Sequence, residues 1–171
     1  MGEVKERTQP SIWLILIVVF SVFLGISLGI IRLLRLPWYI SLSSRLGTVI
    51  GFLLVVIGFC ILISAFKALK INRAFGKDLY KSQLESTLIT TGIYRYTRNP
   101  LYLGSTILFF GWFFVFRRTF LLIMTFLFII LFYFVAKWEE KELFERFDTE
   151  YLQYKNSVPF FIPYPKKRDR A

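Results

Sequence analysis

The chain has 171 residues, 56% of them hydrophobic, with 20 phenylalanines and a formal net charge of +11. The length suits one domain, and apolar content gathered into long runs excludes an ordinary soluble fold. With no histidine and a single cysteine, the chain also excludes Ser-His-Asp and Cys-His nucleophiles, histidine-ligated zinc or haem, and an intramolecular disulfide.

Residues 1–10 are polar and end in Pro10. Met1-Gly2 opens like a myristoylation signal, but Glu6 stands where that signal needs Ser or Thr. Ser11 to Ile31 is an apolar run of about 21 residues, which spans about 30 Å as a helix. It is too long for the apolar region of a signal peptide and predicts an uncleaved transmembrane helix. Gly25 and Gly29 are spaced to let another helix approach, or are simply tolerated.

Arg32 to Arg45 predicts a short connection in which Pro37, Trp38 and Tyr39 anchor the interface. A second span follows from Leu46 to Phe66, with Gly47, Gly51 and Gly58 along it and Cys60 as a small packing residue. Residues 67–74 continue that helix into water, and Gly76 to Thr91 reads as an irregular loop.

Pro100 suits the first turn of a helix, where its missing N–H costs nothing. The third span, Leu101 to Phe116, is short at about 24 Å. Arg117-Arg118 makes a tight turn, Thr119 is the expected N-cap, and Phe120 to about Trp138 forms the fourth span. The helix then continues through Phe147, with Leu143, Phe144 and Phe147 on one stripe and Glu142–Arg146 as a pair one turn apart. Asp148 to Ser157 carries Tyr151 and Tyr154. Val158 to Pro163 breaks helix and offers apolar bulk to the interface, and Lys166, Lys167, Arg168 and Arg170 form a basic tail facing lipid.

The expected fold is therefore an all-α integral membrane protein of about four transmembrane helices, with a C-terminal helical hairpin and a cytoplasmic C-terminal segment. Residues 1–10 form a cytoplasmic N-terminus, 11–66 the two N-terminal spans, and 67–171 the loop, hairpin and C-terminal segment of a cofactor-binding catalytic core. Of the 22 Lys and Arg, only Arg32, Arg35, Arg45, Arg117 and Arg118 fall on the side opposite the termini. The positive-inside rule then puts both termini and the 67–100 loop in the cytoplasm, and the chain in the plasma (inner) membrane. The positive charge answers anionic lipid, and no nucleic-acid partner is expected.

The densest polar stretch is Gly92-Ile93-Tyr94-Arg95-Tyr96-Thr97-Arg98-Asn99-Pro100-Leu101-Tyr102-Leu103-Gly104. At the other end of the hairpin lie six acidic residues between 139 and 150, led by Glu139 and Glu140 beside Trp138. Arg95 and Arg98 suit a carboxylate or phosphate, aided by free N–H groups at a helix start. Glu139 and Glu140 suit hydroxyls or an ammonium, and Trp138 and the tyrosines offer faces to a base or cation. A zwitterionic, nucleoside-bearing cofactor uses all three. No metal site is expected.

These two motifs, with WEEKELFERFDTEYLQYKNSVPFFIP as the second, resemble the isoprenylcysteine carboxyl methyltransferase and phospholipid methyltransferase superfamily. The family pattern is Gly-x-Tyr-Arg-x-x-Arg-His-Pro-x-Tyr-x-Gly, a hairpin, a Glu-Glu pair, and Tyr-x-x-Tyr before Val-Pro-x-x-Ile-Pro. The likeness covers about residues 88–163. It implies a membrane enzyme that binds S-adenosylmethionine at the cytoplasmic face and takes a lipophilic acceptor from the bilayer. Carried over, Arg98, Asn99 and Tyr102 hold the amino-acid end of the cofactor, Glu139 and Glu140 contact its ribose or ammonium, and Tyr151 and Tyr154 close the pocket. Tyr94 and Arg95 complete the binding set, and Arg98 and Glu140 are the catalytic candidates. Asn99 stands where the family has histidine, so it can replace a hydrogen-bonding imidazole but not a proton carrier. An NADPH-dependent sterol-type membrane reductase and a non-enzymatic membrane protein are the competing readings.

Overall fold

The structure, a computed structural model, describes residues 12–69 and 88–162. The polar N-terminus, most of the expected 76–91 loop and the basic tail lie outside the described residues. Helix α1 runs Ile12–Leu33, α2 Ser44–Leu69, a 3-10 turn Gly92–Arg95, α3 Pro100–Phe116 and α4 Thr119–Ser157. No strand forms among the described residues; the only extended pairing is the isolated bridge Tyr39–Arg118. The helices α2 and α4 are long and apolar enough to cross a membrane, while Ser21–Leu33 and α3 are shorter apolar helices.

Helix α2 lies along α3 at close range because glycines face each other across the seam. A Cβ at Gly51 would come within 2.7 Å of the Gly111 carbonyl, and one at Gly58 within 2.9 Å of the Gly104 carbonyl. Between helices in lipid, where apolar burial drives little, such backbone approach supplies the packing. Gly25 and Gly29 of α1 differ: both face open space, so within this chain they mediate no close contact. Helix α1 meets α4 instead, through Phe23 against Phe128 at 4.8 Å, and Phe109 of α3 stacks on the same Phe128 at 4.6 Å.

At the end of the hairpin away from the site, the loop after α1 is tied to the α3–α4 turn. The Ile40 N–H donates to the Arg117 carbonyl (3.0 Å) and the Thr119 N–H to the Trp38 carbonyl (3.2 Å). Thr119 is not the N-cap. Arg118 holds that position, and the Thr119 hydroxyl donates to the Pro37 carbonyl. The demand of the neighbouring loop for a donor outweighs the helix's own.

Helix α4 carries one break, at Asp148, where φ is 41° and ψ −114°. Fifteen residues of straight helix would separate positions 140 and 155 by about 22 Å. The Lys155 ammonium nevertheless sits 3.4 Å from a Glu140 carboxylate oxygen. The break therefore folds the segment after it back over the start of α3. There Tyr151, Tyr154 and Val158 form a small core with Leu88, Leu143 and Phe147.

Residues 158–162 then cross the start of α3 as a strap. The Arg98 N–H donates to the Pro159 carbonyl (3.0 Å), and the Thr97 hydroxyl (3.3 Å) and Asn99 amide (3.0 Å) both donate to the Phe160 carbonyl.

Candidate functional site

Pro100 at the first helical position turns the polar stretch sharply into α3, so residues 94–99 gather at the helix entrance. Gly92 precedes them with φ +63°, a left-handed conformation that glycine adopts without a Cβ penalty. The antiparallel hairpin returns α4 to the same end. Glu139 and Glu140 thereby reach the entrance of α3, and the folded-back segment closes the third side.

The two ends meet through charge. Arg98 donates from a terminal guanidinium nitrogen to Glu140, with side chains 10% and 6% exposed. Lys137 and Lys155 reach the other Glu140 oxygen at 3.1 and 3.4 Å. A carboxylate this buried is tolerated because three cations surround it. The Arg98 Nε–H is buried and has no partner among the described residues. Such an orphan donor costs about 1–3 kcal/mol unless something accepts from it.

Around Arg98 lies a cavity of about 410 Å³, within the usual range for small-molecule sites. Its polar lining includes Tyr94, Arg98, Asn99, Tyr102, Glu139, Glu140, Tyr151 and Tyr154. Eight of the nine expected binding residues are thus brought to one cavity. Arg95 is the exception: it is exposed on the 3-10 turn and does not line it.

Two hydrogen bonds set the tyrosines. The Tyr102 hydroxyl donates to Glu139 at 2.7 Å, and the Tyr154 hydroxyl donates to the Tyr94 carbonyl at 2.8 Å. Glu139 is exposed as a residue, yet protein packed on its inner side strips water from the carboxyl. That burial pushes its pKa above the ordinary 4.5; the Tyr102 hydrogen bond opposes the shift and nearby Glu142 adds to it. Burial, and next the charge of Glu139, raises Tyr94. Burial, and next Tyr94, raises Tyr154. Both phenols are therefore neutral donors at physiological pH. The Asn99 amide points to the strap, where it donates to Phe160, and does not cap α3.

The sequence profile of phospholipid methyltransferases matches residues 46–150. The chain belongs to the phospholipid methyltransferase family. It is also similar to the protein-S-isoprenylcysteine O-methyltransferase of Saccharomyces cerevisiae, 36% identical over 135 residues. That likeness takes in 72% of this chain and 52% of the yeast protein, so the chain spans about half the length of this curated relative. No solved structure matches.

The family match begins in α2 and so includes the glycine seam as well as the hairpin. Within this methyltransferase-family site, several residues escaped sequence reasoning. Arg146, Leu143 and Phe147 line the cavity, and Lys137 and Lys155 hold Glu140. The predicted Glu142–Arg146 pair does not form; both side chains line the cavity, and the ion pair on that stretch is the exposed Lys141–Glu145 at 3.8 Å. The spacing of Tyr151 and Lys155, four apart on one helical face, was the available signal for Lys155, since Tyr151 was already assigned to the pocket.

Proposed function

We propose that the chain is an integral membrane methyltransferase that transfers a methyl group from S-adenosylmethionine to a lipophilic acceptor. The observation that carries this reading is a cavity lined by Arg98, whose buried Nε–H has no partner among the described residues, together with carboxylates and aromatic walls. A zwitterionic nucleoside cofactor fits that donor set. Arg98 would take its carboxylate, Glu139 and Glu142 its ammonium or ribose hydroxyls, and Tyr94, Tyr102, Phe147, Tyr151 and Tyr154 its flat and apolar faces. Bound there, S-adenosylmethionine supplies a sulfonium-linked methyl group open to in-line attack.

The protein's own part is placement. Glu140 is occupied by Arg98, Lys137 and Lys155, so its role is to position Arg98 rather than to move protons. Glu139 accepts from Tyr102 through one oxygen and is ion-paired to no cation among the described residues, so with its raised pKa it is the carboxylate that would accept a proton from an amine acceptor. A carboxylate or thiolate acceptor needs no base. Asn99 acts as a strut: its amide, with Thr97 and the Arg98 N–H, holds the strap against the mouth of α3. Arg95 serves as an interfacial anchor outside the cavity.

Four helices crossing the membrane, with the cavity and both termini cytoplasmic in the plasma (inner) membrane, complete the proposal, supported by the distribution of Lys and Arg. The catalytic unit comprises residues 67–171, in which Leu69, at the end of α2, lines the cavity. The acceptor belongs to the class of isoprenylcysteine-like carboxylates, phospholipid amines or lipophilic thiols.

Titration of the purified protein with S-adenosylmethionine and, separately, NADPH tests the reading. S-adenosylmethionine should bind and NADPH should not. Arg98→Ala should weaken cofactor binding about a hundredfold, the equivalent of losing roughly 3 kcal/mol of charge-assisted hydrogen bonding. Unchanged affinity in Arg98→Ala would sink the assignment. Methyl-labelled cofactor incubated with native membranes identifies the acceptor.

A further inference from the structure

We propose that Lys137 and Lys155 form a binding site for the phosphate of an anionic glycerophospholipid, on the flank of α4 outside the cofactor cavity. The inference stands independently of methyl transfer. Three cations, Arg98, Lys137 and Lys155, converge on the single Glu140 carboxylate, which leaves two positive charges in excess. Both lysine ammoniums rest on one Glu140 oxygen, at 3.1 and 3.4 Å, so they stand no more than about 6.5 Å apart. Each ammonium carries three donors and gives Glu140 one, so each keeps donors for a second anion. One phosphate group, making charge-assisted bonds of about 2.8 Å, reaches both.

The surroundings select a lipid. Neither lysine lines the cavity, and the two side chains are 43% and 40% exposed. The Lys137 ammonium stands 4.7 Å from the Phe160 ring centre and 5.8 Å from that of Tyr133, which holds the charge at one height on the helix. Below it, Phe126, Ile130, Tyr133 and Lys137 follow one helical face at spacings of four, three and four, and the first three are exposed along the apolar part of α4. An acyl chain laid along that track places its headgroup at the lysine pair. The site exists because the break at Asp148 brings Lys155 back beside residue 140.

The test uses the full chain in nanodiscs of phosphatidylglycerol and phosphatidylcholine with identical acyl chains, followed by native mass spectrometry of the lipids that stay bound. Phosphatidylglycerol should be retained in preference. Lys137→Gln with Lys155→Gln should lower that preference about thirtyfold, at about a factor of five for each lysine near a membrane surface. Lys137→Arg with Lys155→Arg should keep it, and far-ultraviolet circular dichroism on each variant confirms the helical fold. Equal retention of phosphatidylglycerol by the parent and the double Gln variant overturns the proposal. So does its displacement by inorganic phosphate alone, which would make the pair a general anion site. Displacement by a farnesylcysteine carboxylate at lower concentration would assign the lysines to the acceptor and overturn it too.

Discussion

Glu140→Gln offers the most direct test of how the cytoplasmic end is held together. The substitution keeps the side chain's volume but removes the charge that three cations share. Lys137 and Lys155 are about 40% exposed and can turn to water, so their loss costs little. Arg98 cannot: its side chain is 10% exposed and its Nε–H is already without a partner. Leaving such a charge uncompensated typically costs about 3–5 kcal/mol. Because Arg98 borders a cavity that water can enter, we take the lower end, about 3 kcal/mol, or roughly two orders of magnitude in the ratio of folded to unfolded protein. The assay is reversible unfolding in mixed micelles followed by circular dichroism, run as a double-mutant cycle with Arg98→Met. In the Arg98→Met background Glu140→Gln should cost about 2 kcal/mol less than in the parent, because the charge it strands is gone. An equal cost in both backgrounds would refute the argument that Glu140 exists to compensate Arg98.

Other outcomes follow from the same geometry. Gly51→Ala sets a methyl against the Gly111 carbonyl and should destabilise by about 1–3 kcal/mol, whereas Gly25→Ala, facing open space, should be neutral or stabilise by up to about 1 kcal/mol; both are read by the same unfolding assay. Glu139 has a folded-state pKa above 4.5, so the folded protein binds that proton more tightly than the unfolded chain does. Stability from this group is full below pH 4.5 and is lost as pH rises through the folded pKa, and Glu139→Gln should flatten that decline in unfolding curves taken from pH 4 upward. Asn99→Ala should cost about 1 kcal/mol and speed hydrogen exchange in residues 158–162, while Asn99→His, which can still donate to the Phe160 carbonyl, should leave exchange slow.

The cavity was legible in the sequence to the extent that short-range rules governed it. A hairpin with both ends on one side must bring the Arg98 stretch to Glu139 and Glu140, and it does. The glycines of α2 could be read as small residues, but not that they would meet Gly104 and Gly111, because a helix partner is a property of the assembled bundle. Gly25 and Gly29 have the same spacing signal and no such contact. Helical periodicity paired Glu142 with Arg146 as neighbours in solvent, since it carries no information about a cavity that claims both side chains. The boundary between the helix ending at Phe147 and the segment from Asp148 was legible, and the structure breaks the helix at Asp148; that the chain turns back there was not, because the packing of Tyr151 and Tyr154 behind Leu143 and Phe147 sets the direction. With it went Lys155, whose place beside Glu140 depends wholly on that turn.

At Pro159 and Phe160 the strap over α3 is gripped through carbonyl oxygens, by the Arg98 N–H and by the Thr97 and Asn99 side chains. Its hold is therefore indifferent to what residue 160 carries, provided the main chain runs the same course. The Phe160 ring, packed on Tyr133 and Phe161, stands near both Arg98, at 5.6 Å, and Lys137, at 4.7 Å. Anchoring and tuning are thus separable at one position. A leucine or tryptophan exchanged there would alter the field felt by the two cations on either side while the latch stays shut, which makes residue 160 the natural dial for adjusting the membrane flank and the interior cavity against each other.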